Sequence, residues 1–123
     1  MADVYDINVA GVTFDGRQEV LAELYEIQEA QKAGTTTPSI AIIPIDLVRE
    51  PDNKYDANAI QVLAEGNDGY KHVGYVSRDL AARLAPLLDA GATATTSPGW
   101  IVCGGHGNPV FGLRFAIMVK EAG

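Results

Sequence analysis

The polar segment at residues 49–60 holds the side chains best suited to binding chemistry. It places the ring of Tyr55 beside the carboxylate of Asp56, with the amide of Asn53 two residues before the ring. The ring can stack on a ligand, while the carboxylate and amide can hydrogen-bond to its hydroxyl groups. The same residues also suit a structural turn, in which Pro51 sets the backbone and the Asp and Asn side chains bond nearby amides. Both interpretations stay open, and each can hold for different residues of the segment.

A second group with binding potential occupies residues 74–78, where a strand pattern leads into a helix pattern. Backbone N–H groups at the start of a helix favour an anion such as phosphate, and Arg78 would add a positive charge there. In the structural alternative, Tyr75 belongs to the core, Ser77 only caps the helix and Arg78 is a solvated surface residue. The residue types alone leave both interpretations open.

Two phenylalanines are candidates for base stacking at the margins of such a site. Phe14 follows the sequence Gly-Val-Thr, and Phe111 follows Asn-Pro-Val. Stacking on an aromatic ring tolerates any base, because every base has a flat face. Phenylalanine is more often a core residue, so burial of both rings is the structural alternative.

Catalytic and metal chemistry find little support in the sequence. His72 and His106 lie far apart, and Cys103 has no evident activating partner. The glycine-rich residues 104–107 lack the Lys and Ser/Thr of a phosphate-binding loop, and no spacing resembles a zinc site or a nucleophile elbow. We therefore expect no catalytic residue, no metal, no cofactor and no enzymatic activity.

A first helix is predicted over residues 18–32, where apolar side chains recur at helical spacing and glutamates fill the remaining positions. Asp15 would cap its start, with Gln18 reaching back to complete a capping box. The glutamates can be an ordinary solvated face or a surface for a protein partner.

A second helix is predicted to follow Ser77, which would cap it, and to stop at Gly91. Pro86 lies inside its apolar stripe and should kink it or divide it into two turns. This helix would fix the direction in which Arg78 leaves the strand.

Apolar and alternating stretches predict six short strands around these helices. They cover residues 5–11, 39–48, 59–63, 72–76, 99–104 and 110–119. Six strands with only two helices favour a mainly β (α+β) fold, a small antiparallel barrel, over a parallel sheet.

Length and composition indicate one domain over residues 1–123, since 47% hydrophobic residues suffice for a core without disulfides. Cys103 lies in an apolar stretch and reads as a buried thiol in a reducing, cytoplasmic setting. No apolar run approaches the roughly 20 residues of a membrane span. The net charge of −7 repels phosphate at long range, so any nucleic-acid site must be local.

The chain resembles the HIRAN domain family over roughly residues 9–119. The resemblance lies in the run Asp-Asn-Lys-Tyr-Asp-Ala-Asn-Ala-Ile at 52–60, with Val-Gly-Tyr-Val-Ser-Arg-Asp-Leu-Ala at 73–81 and Gly-Val-Thr-Phe-Asp-Gly-Arg-Gln at 11–18. The last pattern and the acidic helix look like short, stand-alone bacterial or phage members. The family implies a six-stranded antiparallel OB-like barrel with two helices.

The resemblance implies a role for each candidate residue in binding a 3′ single-stranded DNA end. By it, Tyr55 and Asp56 meet the terminal nucleotide, with the carboxylate accepting from the free 3′-hydroxyl. Tyr75 and Arg78 correspond to positions that contact the DNA backbone. The remaining candidates are the supporting Asn53, the stacking rings Phe14 and Phe111, and Arg17, which can replace a basic residue absent at Thr13.

The expected function is therefore a non-enzymatic DNA-binding module for single-stranded 3′ ends, of the kind associated with DNA repair. The alternative is a protein-interaction module that retains the barrel without binding DNA. A helicase, nuclease or other protein partner fits either one, and a pocket for a 3′-hydroxyl can also tolerate RNA.

Overall fold

The structure is a computed structural model and describes residues 2–14, 16–33, 43–104 and 110–121. Within these ranges the chain forms seven strands and two helices, which confirms a mainly β fold. In chain order they are β1 (Ala2–Asn8), α1 (Arg17–Ala33), β2 (Ile45–Arg49), β3 (Ile60–Gly66), β4 (Gly69–Tyr75), α2 (Arg78–Asp89), β5 (Thr93–Thr96), β6 (Trp100–Gly104) and β7 (Val110–Lys120).

The strands form two antiparallel sheets. In the first sheet, the long strand β7 pairs with β1 on one side and with both β5 and β6 on the other. The second sheet has the order β2-β3-β4, and Asn67 and Asp68 turn the chain between its last two strands. Alternation along β7 buries one row of side chains in the core: Leu113, Phe115, Ile117 and Val119.

Two single bridges join the sheets at their edges. Ala10, just after β1, exchanges backbone hydrogen bonds with Tyr75 of β4 at 2.8 and 2.9 Å. Ile43, before β2, does the same with Gly99, before β6, at 3.0 and 2.7 Å. The expected OB-like barrel is thus represented by two joined sheets, and no continuous closed ladder is seen among the described residues.

Helix α1 matches the predicted span and packs Leu21 and Leu24 into the core. Its start departs from the expected capping box. The Gln18 amide donates to Val12 O at 3.0 Å and to Phe111 O at 2.8 Å, and its oxygen accepts from Phe111 N at 2.8 Å. Gln18 therefore ties the helix to β7, while Asp15 lies outside the described residues.

Helix α2 runs unbroken through Pro86, so the expected division into two turns was wrong. Pro86 lies in the last turn of the helix, and the chain beyond it still closes with Ala90 N donating to Pro86 O at 3.1 Å. Ser77 occupies the N-cap position, but its side chain makes no capping hydrogen bond. Gly91 ends the helix in a left-handed conformation, as predicted.

Two further expectations need correction. Strand β5 was not anticipated, because its sequence Thr-Ala-Thr-Thr lacks the apolar alternation of a half-buried strand. Cys103 is exposed rather than buried, since it lies near the end of β6 beyond the buried Ile101.

The predicted strand residues 39–42, the loop before them and His106 lie outside the described residues. Of the helices in the described ranges, none combines the length and apolar character needed to cross a lipid bilayer.

Candidate functional site

The segment between β2 and β3 is a tight turn organised by Asn53. Its side-chain oxygen accepts hydrogen bonds from Tyr55 N at 2.8 Å and from Asp56 N at 3.0 Å. The backbone closes around it, with Glu50 N donating to Ala59 O at 2.9 Å and Asn53 N donating to Glu50 O at 3.0 Å. This arrangement is an Asx turn, which explains how so polar a sequence adopts a single conformation.

The turn leaves the ring of Tyr55 pointing outward and the carboxylate of Asp56 half-buried. Tyr55 is 79% exposed, although its backbone is fixed. Asp56 is held at one oxygen, where Oδ1 accepts from Asn58 N at 2.9 Å, and its other oxygen lies 3.8 Å from Nε of Arg78. The carboxylate thus has one oxygen committed to the turn and the other beside a cation.

Arg78 joins this turn to the start of α2. Its guanidinium donates to Tyr55 O at 3.0 Å, and its side chain is 77% exposed, whereas that of Asp56 is 22% exposed. The cation therefore lies at the rim of the site and the carboxylate deeper within it. In this position Arg78 retains donors that face solvent or a bound anion.

Arg49 anchors the base of the turn from the end of β2. It donates to Ala57 O and Ala59 O at 3.0 and 2.9 Å, and makes two hydrogen bonds of 3.0 Å with the Asp89 carboxylate at the end of α2. The Arg49 hydrogen bond lowers the pKa of Asp89, and the Asp89 hydrogen bond raises that of Arg49. The forked guanidinium thereby holds the turn against the second helix.

Tyr75, at the end of β4, faces the turn from the other side. Its hydroxyl donates to Oε1 of Glu50 at 3.2 Å, and its ring packs edge-on against His72 with centroids 4.9 Å apart. Burial raises the pKa of Tyr75, and the nearby Glu50 raises it further. The phenol therefore stays protonated and donating across the ordinary pH range.

Arg17 holds the turn before α1, which carries Phe14, in place beside Tyr75. Its guanidinium lies 5.4 Å from the centre of the Tyr75 ring and donates to Gly11 O at 2.6 Å. Its backbone N–H donates to Phe14 O at 3.0 Å. The turn before α1 is thus fixed while the ring of Phe14 remains 64% exposed.

These residues surround one open cleft of about 910 Å³. It brings together most of the residues singled out from the sequence: Phe14, Arg17, Asn53, Tyr55, Asp56, Tyr75 and Arg78. They come from three separate stretches of the chain. The cleft exists because the Ala10–Tyr75 bridge brings the start of α1 beside the end of β4.

Phe111 does not line this cleft. Its ring is half-buried and packs against Tyr25 of α1, with centroids 5.3 Å apart and planes tilted by 47°. Its backbone is occupied by the Gln18 side chain. The structure thus packs this ring of β7 against α1.

Three charged residues of the cleft were not singled out as site residues from the sequence: Glu50, Asp52 and Lys54. The Lys54 ammonium lies 5.8 Å from the centre of the Tyr55 ring. The cleft contains three bases and three acids, so the chain's net charge of −7 arises elsewhere. Glu50 could have been recognised as a site residue from its position immediately before Pro51, at the start of a polar turn.

The side chains that line the cleft suit ligand binding rather than catalysis. They comprise flat aromatic rings, one partly committed carboxylate, a phenol and rim cations. No cluster of three or more metal-ligating side chains occurs in the part of the chain that the structure describes.

Comparison with known proteins places these residues in a family context. The HIRAN domain family profile matches residues 43–98, which include the turn, β4 and the start of α2. Phe14 and Arg17 lie outside the matched range.

Three curated relatives match over about 45 residues, or 37% of this chain. They are a putative SWI/SNF-related matrix-associated actin-dependent regulator of chromatin subfamily A member 3-like 1 from Arabidopsis thaliana (50% identical), a Fanconi-associated nuclease 1 homolog from Oryza sativa subsp. japonica (49%) and a helicase-like transcription factor from Oryctolagus cuniculus (47%). The match covers only 4–5% of the length of these relatives.

Among solved structures, the HIRAN domain of human HLTF is similar, with a TM-score of 0.49 and 24% sequence identity. The similarity covers 96% of this chain and 77% of that one.

Proposed function

We propose that this chain, whose residues 43–98 match the HIRAN domain family profile, is a non-enzymatic module that binds single-stranded DNA at its 3′ end. The observation that supports this most directly is a single cleft in which an exposed ring, a carboxylate and a rim guanidinium adjoin one another, those of Tyr55, Asp56 and Arg78. A HIRAN domain is a binding domain, so the proposal includes no reaction.

The terminal base stacks on the exposed ring of Tyr55, and Phe14 offers a second exposed ring that lines the cleft. Stacking of this kind contributes about 1–3 kcal/mol per base and does not depend on sequence. The fixed backbone of the Tyr55 turn supports this role, because little ordering of the loop remains to oppose binding.

The terminal 3′-hydroxyl donates to Asp56. One oxygen of this carboxylate is fixed by Asn58 N, so the other is held in place to accept from the ligand. A charge-assisted bond of this kind favours a free hydroxyl, whereas a 3′-phosphate would be repelled by the same carboxylate. Asn53 acts through the turn in this scheme, since its oxygen already serves two backbone amides.

Phosphates preceding the terminal nucleotide lie at the rim. Arg78 is the main ligand there, because it is highly exposed and is close to the start of α2, and Lys54 is the second cation available. Tyr75 and Arg17 form the floor behind them. With so few cations, the affinity depends on stacking and on the hydroxyl bond as much as on charge.

We propose further that residues 1–123 act as one cytoplasmic unit that presents a DNA end to another enzyme. The names of the relatives include a nuclease homolog and a helicase-like transcription factor, of whose lengths this chain covers about 5% or less. An enzyme of one of these classes is therefore the partner that we would look for.

The proposal is tested by fluorescence anisotropy at low salt with a short 5′-labelled strand ending in a 3′-hydroxyl or a 3′-phosphate. We expect binding only with the hydroxyl, and Asp56→Asn should reduce that preference by about tenfold, since a tenfold change corresponds to about 1.4 kcal/mol. An RNA strand of the same sequence, run in parallel, measures discrimination against the 2′-hydroxyl.

Asp3→Asn is the matched control, since it removes the same charge from an exposed position on β1 that does not line the cleft. Equal binding of both strand ends, or equal effects of the two substitutions, would contradict 3′-end recognition. Absence of binding to any strand would leave the protein-interaction alternative.

A further inference from the structure

We propose that Glu50 is a positioning residue that couples the two halves of the cleft. A single oxygen, Oε1, accepts hydrogen bonds from the Asn53 amide on the turn and from the Tyr75 hydroxyl on β4. The inference rests on the proposed function, because it concerns how the DNA-binding groups are held together. Glu50 acts through its two partners and need not touch DNA itself.

Glu50 controls the turn by orienting Asn53. The Asn53 amide nitrogen donates to Glu50, which leaves the amide oxygen facing the backbone N–H groups of Tyr55 and Asp56 at 2.8 and 3.0 Å. A flipped amide would present two N–H donors to these two N–H groups and lose all three bonds. The carboxylate therefore selects the amide orientation that shapes the recognition turn.

Glu50 is itself held by the backbone at the end of β2. Its N–H donates to Ala59 O at 2.9 Å, and its carbonyl accepts from Asn53 N at 3.0 Å. On the other side, the backbone of Tyr75 is fixed by its paired bonds to Ala10. The Glu50 side chain therefore starts from a fixed backbone and ends in two hydrogen bonds, so it can hold the turn and β4 in a set relation.

Glu50 also affects the ionisation of Tyr75. Burial is the main cause of the raised pKa of Tyr75, and the negative charge and hydrogen bond of Glu50 add to it. A tyrosinate could not donate to the carboxylate and would be repelled by it. Ionisation of Tyr75 is thus a direct reporter of the Glu50 contact, independent of any ligand.

The first test measures this coupling without DNA, using Glu50→Ala, Glu50→Gln and the control Glu26→Gln, which lies on the exposed face of α1. In ¹H–¹⁵N spectra, Glu50→Ala should shift the amide signals of Tyr55 and Asp56. Glu50→Gln should preserve these signals because it keeps the acceptor oxygen.

Ultraviolet titration, with Tyr75→Phe to identify the residue, should show a lower Tyr75 pKa in Glu50→Gln. Unmoved amide signals of Tyr55 and Asp56 in Glu50→Ala would overturn the proposal.

The second test is a mutant cycle on affinity for the 3′-hydroxyl strand. Glu50→Ala should weaken binding about tenfold in the wild-type background and less than about twofold in Asn53→Ala/Tyr75→Phe, because a residue that acts through its partners has no effect once they are removed. A tenfold loss that persists in that background would mean that Glu50 contacts DNA directly, and would overturn the positioning role. If the wild-type protein binds no strand, the proposed function fails, and the spectra above still decide whether Glu50 organises the cleft.

Discussion

At the scale of single residues, the cleft separates its charges by depth. Arg78 is exposed at the rim, and Asp56 lies deeper with one oxygen bonded to the turn. Such layering lets a phosphate meet a cation at the entrance and a hydroxyl meet a carboxylate inside. Under the proposed recognition of a 3′ end, the order of these charges matters more than their number.

Arg78→Gln tests the role of the rim cation. If Arg78 neutralises one phosphate, the substitution should weaken binding about three- to tenfold at low salt and lower the slope of log K against log salt by about 0.7, the value for one contact to a single strand. The measurement is anisotropy over a series of potassium chloride concentrations.

Arg83→Gln provides the control, since Arg83 lies on the same helix but contacts the ring of Tyr5 and does not line the cleft. A slope that is the same in wild type and Arg78→Gln would exclude a phosphate contact at this position.

At the scale of elements, two glutamines fasten α1 to the first sheet. Gln18 bonds the backbone of Phe111 on β7, and the buried Gln28 bonds both the N–H and the carbonyl of Ile101 on β6, at 2.6 and 2.9 Å. Each glutamine amide hydrogen-bonds to a strand N–H and a strand carbonyl, as a neighbouring strand would. The helix that carries Arg17 into the cleft is therefore held by directional bonds as well as by its leucines.

Gln28→Ala should destabilise the protein by about 2–4 kcal/mol, because it leaves a buried N–H and a buried carbonyl of Ile101 without their bonds. Urea denaturation followed by circular dichroism measures the change. Gln31→Ala, at an exposed position of the same helix, should change stability by less than about 0.5 kcal/mol. Equal midpoints for the two variants would show that the Gln28 bonds contribute nothing.

The helices and most strands were predictable because they follow local rules. The period of α1, the turn between β3 and β4 and the glycine after α2 each depend on residues close in sequence. Pro86 misled because it removes only one N–H from the helix, while the burial of Leu84 and Ala85 beside it holds the helical backbone in place. Strand β5 was not predicted because its own sequence lacks a strand pattern. It is a strand because it pairs with β7.

At the scale of the whole molecule, the cleft depends on how closely β4 approaches the chain after β1. Gly74 permits this approach, since a Cβ atom there would lie 2.4 Å from Ala10 O and 2.5 Å from Cγ1 of Val9. The Ala10–Tyr75 bridge forms directly beside it. One glycine thus lets the two sheets meet where the site is built.

Gly74→Ala should therefore destabilise the fold by about 1–3 kcal/mol or more, since the backbone must move to admit a methyl group. Thermal denaturation measures the loss. Gly104→Ala is the matched control, because a Cβ there meets no atom within 4 Å. A denaturation midpoint for Gly74→Ala as high as that of Gly104→Ala would mean that the close approach does not constrain the fold.

The sequence by itself determined the fold class and the two helices, because these follow from periodicity. It also predicted a turn at residues 49–60, in which Asn53 and Asp56 bond backbone amides of near neighbours. It also identified the Tyr55, Asp56 and Arg78 side chains that the cleft brings together. Only the tertiary structure decided that Phe111 of β7 packs against α1, that Cys103 is exposed, and that Glu50 bonds both Asn53 and Tyr75. Such outcomes depend on contacts between residues far apart in the chain, and these contacts are fixed when the sheets and helices pack together.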